Sequence, residues 1–395
     1  MGKDRSGFNV KIVIAPDKFR GSLTAEEAAR AIAEGVLLAQ PMAEIDICPV
    51  ADGGEGTVSA LVAATGGRLH TCRVTGPLPE RKVEATFGML GEDGPSGHGL
   101  ETRGTAVIEM AAASGLALLA SHERNPLYTT TFGTGELLNA AARLGARHII
   151  LGLGGSATND GGIGCAQACG LPVILEDGEP LSATEPLTGS DLPRVVLIKH
   201  GRGSPVERVA ITVACDVVNP LFGPHGASRV YGPQKGATPE QVEQLDADLR
   251  RLAERTGKLA EAMTPGAGAA GGLGFAMLAF FGAKVRPGVD LLIETTGLRR
   301  RLAGADLCIT GEGKLDGSSL HGKAPIGVAR LCRELGIRCV AIAGSVGPGA
   351  ERALDEGLTD YVSLHNASMS VDHCMQHARE LLVAAAERMT RKVIG

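Results

Sequence analysis

The stretch VKIVIAPDKFRGSLTAEEAARAI, residues 10–32, reads as a strand, a polar loop and a helix in immediate succession. Val10 to Ala15 form the short apolar run expected of a strand covered on both faces. Pro16 to Ser22 carry Asp17, Lys18 and Arg20 and interrupt that run. Thr24 then stands three residues before Glu27, the spacing of a capping box, and Ala25, Ala28, Ile32 and Val36 line one helical face. A buried strand feeding directly into a helix predicts a parallel α/β sheet.

The same order recurs along the chain. Ile45 to Val50 runs into Ala51–Gly56, which holds Asp52 and Glu55, and a second helix follows. Far downstream, Asp306 to Thr310 runs into Gly311–Gly317, which holds Glu312, Lys314 and Asp316. A helix spans Pro325 to Leu335 with Gly336 as its stop. Cys339–Ala343 and Tyr361–Leu364 complete five strands, and a long last helix begins near Ser370. The middle reads differently: Arg68–Val74, Arg81–Met89 and Gly104–Glu109 are short strands of antiparallel character. After them come the helix Gly133–Leu144, strands at His148–Leu153 and Val209–Cys215, and helices at Pro239–Arg255 and Gly268–Phe281. The expected fold is α/β with two domains. A discontinuous Rossmann/flavodoxin-like parallel-sheet domain, residues 1–70 and 295–395, is interrupted by a second mixed α/β domain, residues 71–294, with the active site in the interdomain cleft.

Composition narrows the function. The net charge of −5 is spread along the chain, and no basic block interleaved with aromatics points to nucleic acid. Glycine supplies 56 of 395 residues, about twice its usual share, so turns and backbone-lined loops are abundant. The 9 cysteines form no CxxC pair or zinc-type spacing, which suits a reducing compartment. MGKDRSGFNV has no apolar core of the signal type, and the uncharged stretch Ala267–Ala283 is short for a membrane span. A cytoplasmic protein without a membrane partner is expected; the sequence leaves its oligomeric state open.

Ligands of open parallel sheets bind beyond the carboxyl ends of the strands. That rule gathers Asp17, Lys18, Arg20, Asp52, Glu55, Glu312, Lys314 and Asp316 along one rim. One such carboxylate reads equally well as a helix cap, but three charged loops on one edge exceed what capping requires. A further loop, GLGGSATNDGG at 152–162, offers backbone N–H groups for an anion: Gly152, Gly154 and Gly155 permit close approach, and Ser156, Thr158 and Asn159 add donors. Asp160 fits poorly there, because a carboxylate beside a phosphate needs a cation between them; the competing reading is a tight turn capped by Asp160. Gly266–Gly271 spells GxGxxG without a clear preceding strand, so glycines packing a helix explain it better than a dinucleotide. No GxxxxGK[ST] motif occurs. Anion cradle, carboxylates for a metal, cations and a base are the parts of phosphoryl transfer.

The ordered segments APDKFRGSLTA, PVADGGEGT, TTTFGTGE, GLGGSATNDGG, ACDVVNPLFGPHGAS, YGPQKGAT, GAAGGLGFA, ITGEGKLD and HGKAPIGVA resemble the bacterial glycerate kinase family over nearly the whole chain. The resemblance implies ATP-dependent phosphorylation of D-glycerate on its 2-hydroxyl, with ATP and Mg2+ as cofactors and 2-phospho-D-glycerate and ADP as products. It singles out Asp17, Lys18, Arg20 and Ser22 in the first loop, where many relatives read PDSFKGS; Lys18 and Arg20 depart from that pattern. Inference from residue chemistry assigns catalysis to Lys18, Arg20, Asp52 and Asp316, and substrate binding to Asp17, Ser22 and Glu55. It assigns ATP phosphates to Gly154, Gly155, Ser156, Thr158, Lys235 and Lys323, and the metal to Asp216 and Glu312. A kinase for another small hydroxy acid and a non-catalytic binding protein are the alternatives.

Overall fold

The computed structural model describes residues 10–51, 54, 56–91, 102–176, 185–199, 203–320, 323–366 and 369–394. Asp52 and Glu55 lie outside the described residues. The strands, in chain order, are β1 (Lys11–Pro16), β2 (Glu44–Ile47), β3 (Arg68–Thr75), β4 (Lys82–Met89), β5 (Thr105–Glu109), β6 (His148–Gly152) and β7 (Val173–Leu175). They continue with β8 (Val195–Ile198), β9 (Ala210–Ala214), β10 (Lys284–Arg286), β11 (Leu307–Leu315), β12 (Arg338–Val346) and β13 (Asp360–Ser363). The described chain divides into two compact units, one of residues 10–51 and 289–394, the other of 54–91 and 102–288.

The first unit holds five strands, all parallel, in the order β13–β12–β11–β1–β2. Ile12, Ile14, Ile309, Val340 and Ile342 are fully buried, and each such side chain contributes roughly 1.5–3 kcal/mol over its exposed state. The helix Ala25–Ala39 opens with the expected capping box of Thr24 and Glu27. It packs against the helix Ala378–Ile394, where a Cβ on Gly35 would stand 2.2 Å from the carbonyl oxygen of Val383. Only glycine permits that approach.

β11 and β12 run past the ends expected at Thr310 and Ala343. They stay paired as far as Lys314 with Ser345 and Leu315 with Val346. The glycines that read as loop punctuation are close-approach positions instead. A Cβ on Gly311 would lie 2.4 Å from the carbonyl of Ile342, and one on Gly344 2.6 Å from that of Gly313. Glu312 therefore sits on a strand, not in a loop.

The second unit contains a six-stranded sheet in the order β10–β9–β6–β5–β4–β3, and a separate pair, β7–β8. β3, β4 and β5 run antiparallel to their neighbours in sequence, while β5, β6, β9 and β10 are parallel. The helix Thr57–Thr65, which precedes the expected boundary at residue 70, belongs to this unit. Val62 packs on Gly88 of β4, and the amide of Val58 donates to Glu109 Oε1 at 2.8 Å. Regular helix in the 268–281 stretch starts only at Leu273. Before it, Ala270, Gly271 and Gly272 have φ of 53°, 65° and 96°. This turn presses on the glycine loop: a Cβ on Gly271 would meet the Thr158 carbonyl at 2.0 Å, and Gly161 donates to the Gly271 carbonyl at 3.0 Å. The GxGxxG spelling therefore serves backbone-to-backbone packing.

Candidate active site

In the first unit, β1 and β11 are adjacent and their carboxyl ends carry the charged residues. Asp17 is buried, its amide donates to the Gly311 carbonyl at 2.8 Å, and its Oδ1 accepts from the Lys18 amide at 2.7 Å. The chain then turns sharply, with Gly21 at φ 82° and the Ser22 hydroxyl donating to the Phe19 carbonyl at 3.0 Å. Ser22 thus holds the turn. Arg20 is exposed and Lys18 half-buried.

Glu312 is only 6% exposed, and Lys323 Nζ donates to its Oε2 at 2.9 Å. Lys323 is itself steered by the Ser319 hydroxyl at 3.1 Å and the Lys314 carbonyl at 3.3 Å. Glu312 Oε1 is buried and has no hydrogen-bond partner among the described residues. Burial raises the carboxyl's pKa, against the pull of Lys323. Asp316 is the opposite case. Lys314 at 2.8 Å and the Ser318 hydroxyl and amide, at 2.6 and 2.9 Å, hold it well below the usual carboxylate range. It stays ionised and is a weak proton acceptor.

In the second unit the glycine loop splits into two halves. Gly154 and Gly155 are exposed and Ser156 half-buried; among the described residues, none accepts a hydrogen bond from their amides. The loop is pinned from beneath by Leu116 donating to the Gly155 carbonyl at 2.8 Å and Ala157 donating to that of Ser114 at 2.9 Å. Thr158, Asn159 and Asp160 are fully buried. Asp160 Oδ2 accepts from the Thr131 amide at 2.8 Å and hydroxyl at 2.7 Å, and Oδ1 from the Gly162 amide at 3.1 Å. The capped-turn reading therefore describes the second half of the loop, and open amides describe the first.

Lys235 lies beneath this loop, not at its exposed edge. It is 2% exposed and its Nζ donates to the Thr158 carbonyl at 2.7 Å. Burial pushes its pKa down to about 7, with Asp160 pulling the other way. Asp216, beyond the end of β9, is exposed, and its Oδ1 accepts from the Gly288 amide at 3.0 Å. Thr131, Glu109 and Ser319 were not singled out by sequence. A hydroxyl two or three residues from a charged group in DGSS was the available signal for Ser319; Thr131 and Glu109 act on residues 29 and 51 positions away, beyond any local pattern.

Open amides suited to anionic oxygens, and a buried carboxylate–lysine pair at the ends of parallel strands, are what a phosphotransferase uses to hold and stabilise a transferring group. Comparison with known proteins makes this specific. The model of the glycerate kinase family matches residues 12–394. A glycerate kinase of Halalkalibacterium halodurans is 45% identical over 96% of this chain and 97% of its own. A glycerate 2-kinase of Escherichia coli is 41% identical over 96% and 97%. A solved structure of a glycerate kinase 2 candidate from Salmonella typhimurium LT2 superposes with a TM-score of 0.84 at 40% identity, covering 98% of this chain and 99% of that one. The chain belongs to the glycerate kinase family. It is accordingly a kinase, and membership implies ATP as phosphoryl donor. Among the described residues, no helix is long and apolar enough to cross a membrane.

Proposed function

We propose that the chain transfers the γ-phosphoryl group of ATP to the 2-hydroxyl of D-glycerate, giving 2-phospho-D-glycerate and ADP. The observation that carries the reading is the family match over residues 12–394 together with the E. coli relative named glycerate 2-kinase. The geometry supports it from below. The amides of Gly154, Gly155 and Ser156, which have no acceptor among the described residues, suit phosphate oxygens, as backbone donors do in other anion sites. Exposed Arg20, with Lys18 beside it, suits the glycerate carboxylate, because guanidinium binds a carboxylate through two parallel hydrogen bonds. Asp17 supports that loop through the Lys18 amide, and Ser22 through the Phe19 carbonyl. Asp316, ionised at any working pH, orients the attacking hydroxyl. A loose phosphoryl-transfer transition state asks for positioning more than for a strong base, so its weak basicity is compatible with that role. Asp52 and Glu55 belong to the same proposal by sequence alone.

The donor chemistry also fits Mg2+. Glu312 Oε1 is a buried carboxylate oxygen with no partner among the described residues, and Asp216, in the second unit, is a further carboxylate by its residue type; hard oxygens are what this ion takes. When bound, the ion supplies charge neutralisation for the phosphate oxygens. Lys323 holds Glu312 Oε2 and so fixes which oxygen stays open. Lys235 and Thr158 act on the phosphates through the loop they hold from within.

Phosphorus NMR of the protein with D-glycerate, ATP and magnesium tests the reading. A phosphomonoester signal of 2-phosphoglycerate is expected. A 3-phosphoglycerate signal would overturn the regiochemistry, and no transfer to glycerate would overturn the substrate.

A further inference from the structure

Cys308 on β11, Cys339 on β12 and Cys332 on the helix Ala324–Leu335 meet inside the first unit. Cys308 and Cys339 are direct neighbours across two parallel strands. The connecting helix runs back antiparallel to both, which sets its last turns over the strands' beginnings and places Cys332 above the pair. All three are fully buried free thiols, and their sulfur atoms lie within 4.8 Å of one another. Three sulfurs bound pyramidally to one soft atom at about 2.3 Å stand about 3.5 Å apart, so a rotamer adjustment closes the set. Glu312 and Lys323 lie toward the other ends of the same strand and helix, so the cluster is separate from the candidate active site.

Charge decides what such a site takes. The influences on these thiols are one another and burial; Cys308 and Cys339 are raised well above an ordinary thiol, while hydrogen bonds from those two push Cys332 down. Among the described residues, no cationic side chain counts among the influences on these thiols. Three thiolates around a divalent ion leave one net negative charge, and around a monovalent ion two, each costly in an apolar interior. Around a trivalent centre they leave none. We propose that Cys308, Cys332 and Cys339 form a binding site for trivalent arsenic, taken up as the neutral arsenite trihydroxide. Three As–S bonds form and three As–O bonds break, and each thiol proton leaves with a hydroxide as water. Arsenic remains trivalent, and nothing is oxidised or reduced. The adduct ties β11, β12 and the helix between them together, and because the thiols are closed off from solvent its formation waits on local opening of that helix.

The test uses the full chain, reduced and then incubated with arsenite. Native mass spectrometry is expected to show one arsenic bound with the loss of three protons, and arsenic X-ray absorption to show three sulfur neighbours and no oxygen. Cys332→Ala is expected to lose the adduct, and Cys165→Ala to keep it. The spectroscopic reading is made on the unaltered protein, so it stands even where a variant fails to fold. An adduct that keeps one hydroxyl and disappears in Cys165→Ala would move binding to the two-thiol pair Cys165 and Cys169 and overturn the proposal. No bound arsenic after full equilibration would overturn it, as would one zinc ion retained against a chelator and lost in Cys332→Ala.

Discussion

Asp160 and Glu312 read alike in the sequence, each an acidic residue in a glycine-rich stretch near the end of an apolar run. Both are buried, at 0% and 6% exposure. They differ in what fills their oxygens. Asp160 receives the Thr131 amide and hydroxyl and the Gly164 amide on Oδ2 and the Gly162 amide on Oδ1, so each of its oxygens has a donor. Among the described residues, Glu312 Oε2 accepts from Lys323 and Oε1 has no hydrogen-bond partner. The lesson is that burial alone does not separate a carboxylate filled by its own fold from one open to a ligand; the count of unfilled acceptor sites does.

The comparison breaks most visibly at Asp160. Asp160→Asn places an amide N–H where backbone donors converge, and hydrogen bonds to a charged group contribute about 1.5–3 kcal/mol each, so a loss of at least about 3 kcal/mol is expected from urea unfolding. Glu312→Gln should do the reverse. Its kcat/KM is expected to fall about 10²–10³-fold, as when a transition-state contact is removed, with stability within about 1 kcal/mol of the parent because a desolvated charge is removed along with its pairing. If both variants lose stability and activity in step, the distinction fails.

Lys235 sharpens the comparison from beneath the loop. Its folded value of about 7 lies below the ordinary lysine value of about 10.4. Between those values the unfolded chain binds a proton that the folded chain does not, so stability is fullest above pH 10 and falls as pH drops toward 7. Lys235→Met should remove that slope, read as the difference between urea midpoints of the two proteins across pH 7–10; parallel curves would contradict it. The smallest effect belongs to Gly155, at φ 75° with Ala111 Cβ 3.2 Å from where its own Cβ would stand. Gly155→Ala costs about 1–2 kcal/mol of backbone strain, expected as a loss of stability of that size in urea unfolding, and no loss would contradict it.

Much of this was legible in the residues. The Val10–Ala15 run, the Thr24–Glu27 cap and the recurrence near 306 and 339 specify a parallel sheet through periodicity and capping, which are local properties. The strand ends were not legible, because Gly311 and Gly344 signal a turn and a close strand pair with the same letter; only the facing carbonyl of the neighbouring strand distinguishes them. The same limit applies to Lys235. As a cation in a glycine-rich loop it reads as a phosphate ligand, and only the Thr158 carbonyl, 77 residues away, shows that it points inward. The open oxygen of Glu312 was likewise hidden, since it depends on which oxygen Lys323 takes.

The central claim is that this open oxygen receives the metal. Manganese, substituted for magnesium and followed by the loss of the free-ion signal in electron paramagnetic resonance, measures it directly in the presence of ATP. The unaltered protein is expected to bind the ion at least tenfold more tightly than Glu312→Gln, while Asp160→Asn, wherever it remains folded, binds like the parent. Equal affinities in the parent and Glu312→Gln would contradict the account.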